Sequence, residues 1–435
     1  MKRLFQLAWP ILLAQFALTG LGLVDTWAAG QAGATQLAGV ALGSNIMLIM
    51  LMFGTGVLMV LSPLVAHALA TDADEKALAG WLKSARLSGV FLGGVGILIL
   101  GVVSWALPHF IHADAALLTV AQNYLWAIMP GMAIFFIYDG YRFFWEGHGK
   151  TQLTLFFSFV AFVLNIPLDF FLVLGAGDWQ GLGGVGCGVA SSLLMIGLTI
   201  ASHLYLQKTP PFAAYRMRTP AKTYLKRLWQ VGLPAALALI FEVSLFMVLS
   251  LFIAPYGATA LAAHQITISI TATLYVVPYS LSMAVSIETG RLMGLGDRGL
   301  LKQFVGQSLL LAGLVGLLLS LLTWTGHAVL PRLFTADPAV LALASALLLY
   351  AVAYQFFDAL QSMTAGVLRG MQRTRFTFVA TLLSYWGVGL GGGMWLAQHG
   401  HGVQGYWMGI VAGLFSAALL LMGRLVVWWR RHPDS

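Results

Sequence analysis

The chain is 435 residues long, 59% of them hydrophobic and only 9% charged, where an ordinary soluble chain carries roughly 25% charge. That composition speaks against a water-soluble enzyme, and the single cysteine, Cys187, excludes an internal disulfide and a cysteine-built zinc site. The 23 Lys and Arg exceed the 15 Asp and Glu to give +8, a surplus to be tested against membrane topology before nucleic acid.

Apolar runs of about 20 residues, cut by turn residues and charges, predict twelve membrane-crossing helices. They fall at 4–29, 37–68, 83–108, 118–140, 152–175, 182–207, 227–254, 260–290, 303–326, 338–366, 375–397 and 403–429. The first run, behind Lys2 and Arg3, could mimic a signal peptide, but it is too long for a signal core and carries Asp25. Basic residues then set the orientation. Lys2 and Arg3, the 70–86 loop, Arg142 with Lys150, the 208–227 linker, the 291–302 loop, Arg369 to Arg375 and the tail from Arg424 share one side, which holds 22 of the 23; only Arg332 lies opposite. By the positive-inside rule both termini are expected in the cytoplasm, and the +8 reads as a topology signal, with no nucleic-acid partner implied.

The sequence also repeats itself. Leu4, Gln6 and Pro10 recur as Leu228, Gln230 and Pro234, and Gly33-Ala34-Thr35 with Leu37-Ala38 recurs as Gly257-Ala258-Thr259 with Leu261-Ala262, all at an offset of 224. Gly147 and Thr151 recur as Gly370 and Thr374 at an offset of 223. This predicts an amino-terminal six-helix lobe at 1–207, a cytoplasmic linker at 208–226 and a carboxy-terminal six-helix lobe at 227–435, related by a pseudo-twofold axis along the membrane normal.

Four acids, Asp25, Asp169, Glu242 and Asp358, fall inside apolar runs. Exposing each to lipid would cost about 2.5–3.5 kcal/mol on insertion scales, so they are expected to face a protein or water interior. No Lys or Arg falls well inside a span to pair with them, so the interior suits a cation or a proton. The competing reading is of buried acids merely satisfied by Ser, Thr and amide neighbours. In the fifth span Asn165 and Asp169 share a face at i,i+4, and Pro167 frees the Val163 carbonyl, adding hard oxygen ligands. Tyr354, Asp358 and Gln361 form a stripe in the tenth span, and Gln15, Thr19, Gly22 and Thr26 run beside Asp25 in the first; such stripes also serve as helix-packing contacts. Pro10 is a candidate hinge in the first span, or a fixed kink at its entrance.

Tyr138-Asp139 and Gly294-Leu295-Gly296-Asp297 match the paired motifs of intramembrane aspartyl proteases, but Asp297 sits among Arg291, Arg298 and Lys302 in an expected cytoplasmic loop. A Gly turn accounts for it. HExxH, GxSxG and GxxxxGK[ST] are absent from the sequence, which argues against a zinc protease, a serine hydrolase and an ATP-driven pump. His399 and His401 fall in an expected external turn; His264, near the start of the eighth span, is either a packing residue or a proton relay.

Several short motifs, each weak alone, occur in a specific order: Leu7-Ala8-Trp9-Pro10 with Val24-Asp25-Thr26, Glu146-Gly147 with Gly149-Lys150-Thr151, Leu164-Asn165-Ile166-Pro167-Leu168, Gly183-Gly184-Val185-Gly186-Cys187-Gly188, Phe241-Glu242-Val243, Ala263-His264-Gln265, and Asp358-Ala359-Leu360-Gln361 with Leu368-Arg369-Gly370. With them nearly the whole chain resembles the multidrug and toxic compound extrusion (MATE) family, in its NorM-like bacterial branch. The resemblance implies an all-α polytopic protein of the bacterial cytoplasmic membrane, twelve helices in two pseudo-symmetric lobes around a central cleft. It implies a monomeric secondary antiporter, not an enzyme, that exports amphipathic, mostly cationic drugs in exchange for Na+ or H+ without a cofactor. Asp25, Asn165 and Asp169, with Ser191, fall on the family's amino-terminal-lobe cation site. Glu242, Tyr354 and Asp358 fall on the carboxy-terminal-lobe site implicated in sodium binding, with Gln361 beside them, and bending at Pro10 accompanies occupancy of the Asp25 site. Where many relatives carry Asp ahead of Thr374-Arg375, this chain has Arg373. The alternative is a lipid-linked oligosaccharide flippase of the same superfamily, whose anionic headgroup would call for mid-span cations.

Overall fold

The computed structural model describes residues 1–111, 114–216 and 221–431; positions 217–220 of the expected linker lie outside them. The chain runs as α1 (Lys2–Gln31), α2 (Ala34–Leu58), α3 (Leu61–Ala70), α4 (Glu75–Phe110), α5 (Ala115–Gly147), α6 (Thr151–Asp169) with a π-helical end, α7 (Val185–Lys208), a 3-10 turn at Phe212–Arg216, α8 (Lys222–Ile253), α9 (Ala258–Leu295), α10 (Arg298–Gly326) and α11 (Pro338–Gly370). Then α12 (Thr374–Thr381) continues through π-helical turns and α13 (Gly392–Leu396) to α14 (Gly402–Arg431).

Among the described residues eleven helical stretches are long and apolar enough to cross a membrane, and the last, Thr374–Arg431, spans 58 residues. At 1.5 Å per residue that is about 87 Å, nearly three times a hydrocarbon core of about 30 Å. It folds back on itself at Gly400 (φ 97°) and Gly402 (φ 51°), where only glycine takes the left-handed backbone without strain. The two arms then pack closely, with the Gly389 carbonyl 2.3 Å from where a Cβ on Gly409 would stand. The described residues therefore make twelve spans. Side chains such as Phe110 (81% exposed) and Leu333 (77%) point outward, a surface that water would penalise and lipid accepts.

Four acids are explained by helix starts. Asp74, Asp114, Asp297 and Asp337 each cap a helix by accepting a backbone amide, at Ala77, Ala116, Leu300 and Ala339. Asp297 of the Gly-Leu-Gly-Asp motif is thus a helix cap following Gly296 (φ 74°).

Packing divides the chain into two compact units, Trp9–Ala236 and Met1–Ala8 with Leu237–Ser435. The duplication places its boundaries at 207 and 227, whereas packing places them inside α1 and α8, within two residues of Pro10 and of Pro234. In each unit one helix is central: α5 packs on α2, α4 and α7, and α11 packs on α9, α10 and α14. The repeat survives at atomic detail. A Cβ on Gly147 would stand 2.7 Å from the Ser62 carbonyl and from Val65, and one on Gly370 2.6 Å from the Ser286 carbonyl and 2.5 Å from Thr289. Ser62 and Val65 lie 224 residues before Ser286 and Thr289. Both glycines let two helices approach closer than a side chain allows.

The expected end of the fourth span at 140 is overtaken: α5 reaches Gly147 and buries Asp139, Arg142 and Glu146. Arg142 lies 3.0 Å from Glu146 and 3.7 Å from Asp139, while Thr55 donates to Asp139 at 2.5 Å and Thr154 to Glu146 at 2.8 Å. The i,i+3 and i,i+4 spacing lets one guanidinium serve both acids, so the three side chains do not end the helix as isolated charges would. Arg369, expected in a loop, is likewise buried in α11 and donates to Ser282 and Ser286. The expected loop placement of both residues is corrected: they lie in the final two turns of α5 and α11.

Candidate functional site

In the Trp9–Ala236 unit, α1, α6 and α7 bring together the residues singled out from the amino-terminal half. Asn165 donates its amide to Asp25 Oδ1 at 3.3 Å, and Ser191 donates its hydroxyl to Oδ2 at 3.3 Å. The Cys187 thiol donates to the Asp25 backbone carbonyl at 3.4 Å. Asn165 and Asp169 are fully buried, with Asp25 half-buried beside them. The side chain of Asp169 is within interacting reach of Asp25 and Asn165, yet neither of its carboxylate oxygens, nor Asn165 Oδ1, receives a hydrogen bond of sound geometry. Three buried acceptor oxygens with no donor, next to a second carboxylate, make a set that a positive charge completes. Pro167 stays within α6 and removes the amide that would otherwise bond the Val163 carbonyl.

In the other unit α8, α9 and α11 assemble the second set. Glu242 Oε1 accepts from the Tyr275 hydroxyl and from the Gln361 amide, both at 3.2 Å. Asp358 is buried within electrostatic reach of Glu242 and beside Gln361, and Tyr354, four residues earlier on the same face, reaches Thr271. Ser362 stands 3.5 Å from the Tyr275 hydroxyl, and Trp386 fixes the start of this site by donating to the Phe241 carbonyl at 3.1 Å.

Each acid singled out, with Asn165, Ser191, Tyr354 and Gln361, therefore lies in one of two sets; Pro10 lies in an unbroken α1, where Thr19 and Thr26 bond the Gln15 and Gly22 carbonyls of their own helix. Sequence reasoning missed Tyr275. Its signal was the stripe His264, Thr267, Thr271 and Tyr275 on α9, spaced i, i+3, i+7 and i+11, one buried face of a helix. Cys187 was read only as part of a glycine-rich motif. His399 and His401 lie at the turn between the two arms of the last stretch, as expected, whereas His264 is wholly buried.

Twelve spans, an internal duplication and buried acids in each unit define a class: polytopic membrane transporters of duplicated architecture. The MatE family model matches residues 10–171 and again 234–395, one copy for each repeat. The chain is 36% identical over 445 residues to a probable multidrug resistance protein NorM of Shewanella oneidensis, covering 98% of this chain and 94% of that one. Its fold is that of a multidrug resistance MATE family transporter solved in an outward-facing conformation, with TM-score 0.89 at 19% identity over 99% of this chain and 97% of that chain. It also matches a Vibrio cholerae MATE transporter, VcmN, in the bent form, with TM-score 0.83 at 19% identity over 98% and 97%. This chain belongs to the MATE family, and it is a multi-pass membrane transporter rather than an enzyme.

Proposed function

We propose that the protein is an antiporter of the bacterial cytoplasmic membrane, both termini inside, that exports amphipathic organic cations in exchange for sodium. The observation that carries this reading is the donor-poor oxygen set of Asp25, Asn165 and Asp169. A carboxylate pair in a low-dielectric interior strongly disfavours remaining charged and unpaired, so it holds a small cation or hands its charge to a cationic drug, one at a time. That exclusion couples the two fluxes. An amide oxygen and a freed carbonyl add ligands that sodium uses and a proton does not need. The NorM relative, described as a probable multidrug resistance protein, supports the drug side of the exchange.

Movement is assigned to α1. Pro10 removes a backbone hydrogen bond near the point where packing changes from one unit to the other. Filling the Asp25 site shifts an equilibrium between straight and bent forms of this helix; a solved relative carries the description "bent form". The test is efflux of a fluorescent organic cation from vesicles with sodium and pH gradients imposed separately. Efflux driven by the sodium gradient alone is the expected result, and efflux that follows only the pH gradient replaces sodium by the proton.

A further inference from the structure

A second group of buried polar atoms lies away from both acids' direct partners. His264 is completely buried in α9, and neither ring nitrogen makes a hydrogen bond of sound geometry, although the Phe246 carbonyl approaches the ring. Its ring meets the indole of Trp407 on α14 edge to face, with centroids 5.8 Å apart. Trp407 is also fully buried, and its Nε1 has no acceptor. Tyr385, between α12 and α13, is fully buried with an unpartnered hydroxyl, within electrostatic reach of Glu242, Asp358, Tyr275 and Tyr354. Tyr354 joins the two regions: its ring lies 6.4 Å from that of Trp407, and its hydroxyl reaches Thr271.

These groups follow one line. The polar stripe of α9 begins at His264 beside Trp407, passes Thr271 beside Tyr354 and ends at Tyr275 on Glu242. Eleven residues of helix make it about 16 Å long. A buried indole N–H, a phenol and an imidazole left without partners each lose the hydrogen bonds that water gave them in the unfolded chain. In native proteins such groups are satisfied by protein or by internal water, which makes two to four hydrogen bonds of its own. The unpartnered donors and acceptors along the stripe match that requirement, and an apolar ligand would leave them unsatisfied.

We infer that the α9 stripe between His264 and Asp358 is an internal water site, lined by His264 and Trp407 at one end and by Tyr385 near the acids, which hydrates Asp358. Solvent access to Asp358 from the His264 end rests on the transport reading above, since only a transporter needs that acid to exchange its ion; the water itself does not. The site gives His264 a role distinct from packing.

Hydroxyl-radical footprinting by X-ray radiolysis of the full-length protein in detergent tests this, because radicals form at bound water and oxidise the adjacent side chain. Trp145 is the internal control: it is equally buried, and its Nε1 already donates to Thr154 at 2.8 Å. Oxidation of Trp407 about tenfold faster than that of Trp145 is expected if ordered water lies against it. His264→Phe and Tyr385→Phe should each lower the Trp407 rate severalfold. Trp407 as inert as Trp145, or a Trp407 rate that neither substitution changes, overturns the assignment. No gradient or drug enters the measurement, so a dry Trp407 in an active exporter removes the water site alone, and a labelled Trp407 in a protein that exports nothing removes the transport reading alone.

Discussion

The acid sets of the two units differ in what surrounds the carboxylates. In the Trp9–Ala236 unit acceptors outnumber donors, and both oxygens of Asp169 go unserved. In the other unit Glu242 is met by a phenol and an amide, with Arg369 within electrostatic reach. Duplication preserved the backbone frame down to the Gly147 and Gly370 contacts, yet Asp25 corresponds to Leu249 and Glu242 to Leu18 at the 224 offset. Frame and chemistry evolved separately. The donor-poor set is suited to exchanging a cation, and the donor-rich set to holding its charge in place.

The largest effect expected is on a buried charge outside both sets. Arg142→Met leaves Asp139 and Glu146 without their cation and should cost about 3–5 kcal/mol of stability, read as a fall in melting temperature in detergent with efflux per folded molecule retained. Efflux lost without melting change would move the Asp139 cluster into the transport machinery. Asp25→Asn or Asp169→Asn comes next. Each should slow efflux by about tenfold or more, some 1.4 kcal/mol in coupling, while melting stays unchanged or rises because one of two neighbouring buried acids is neutralised. Glu242→Gln should slow efflux about threefold, since Tyr275 and Gln361 can still bond the amide oxygen and less than one hydrogen bond's worth is lost. If Glu242→Gln proves the more damaging change, the comparison between the two sets is inverted.

How much of this could be read from the chain follows from distance in sequence. The twelve spans, the duplication and the four intramembrane acids stand out because charge in an apolar run is conspicuous, and Asn165 with Asp169 because i,i+4 is a local relation. Ser191 and Cys187 meet Asp25 across 166 and 162 positions, and no local pattern announces such a contact. Ser191 came from resemblance. The extension of α5 through Arg142 was missed because a cluster that pairs internally looks, one residue at a time, like the punctuation of a loop. Packing boundaries inside α1 and α8 were invisible because the repeat records ancestry and says nothing of which helix ends touch.

Smaller effects sharpen the account of movement. Pro10→Ala should slow efflux severalfold with drug binding retained if α1 hinges there, and unchanged efflux would reduce Pro10 to a fixed kink. At the carboxy-terminal end of α5, His148 donates from Nδ1 to the Phe144 carbonyl (2.9 Å) and its neutral ring accepts at Nε2 from the Tyr215 hydroxyl (3.3 Å), tying the Phe212–Arg216 turn to the helix end. Burial pushes His148 down from 6.5 to about 4, with the Lys150 charge adding to the shift. The docked form is therefore neutral and the released form titrates first. Docking should be constant above pH 6.5, weaken as pH falls from 6.5 towards 4, and change little below. Limited proteolysis of the linker across that range reads it directly, and His148→Phe should flatten the profile.

The central claim is that Asp25 and Asp169 bind a cation that drug displaces. Calorimetric titration of the purified protein with a fluorescent organic cation, at rising sodium and constant ionic strength, tests it most directly. The account predicts that sodium weakens drug binding in the parental protein and has no effect in Asp25→Asn. The same sodium dependence in both proteins would contradict it.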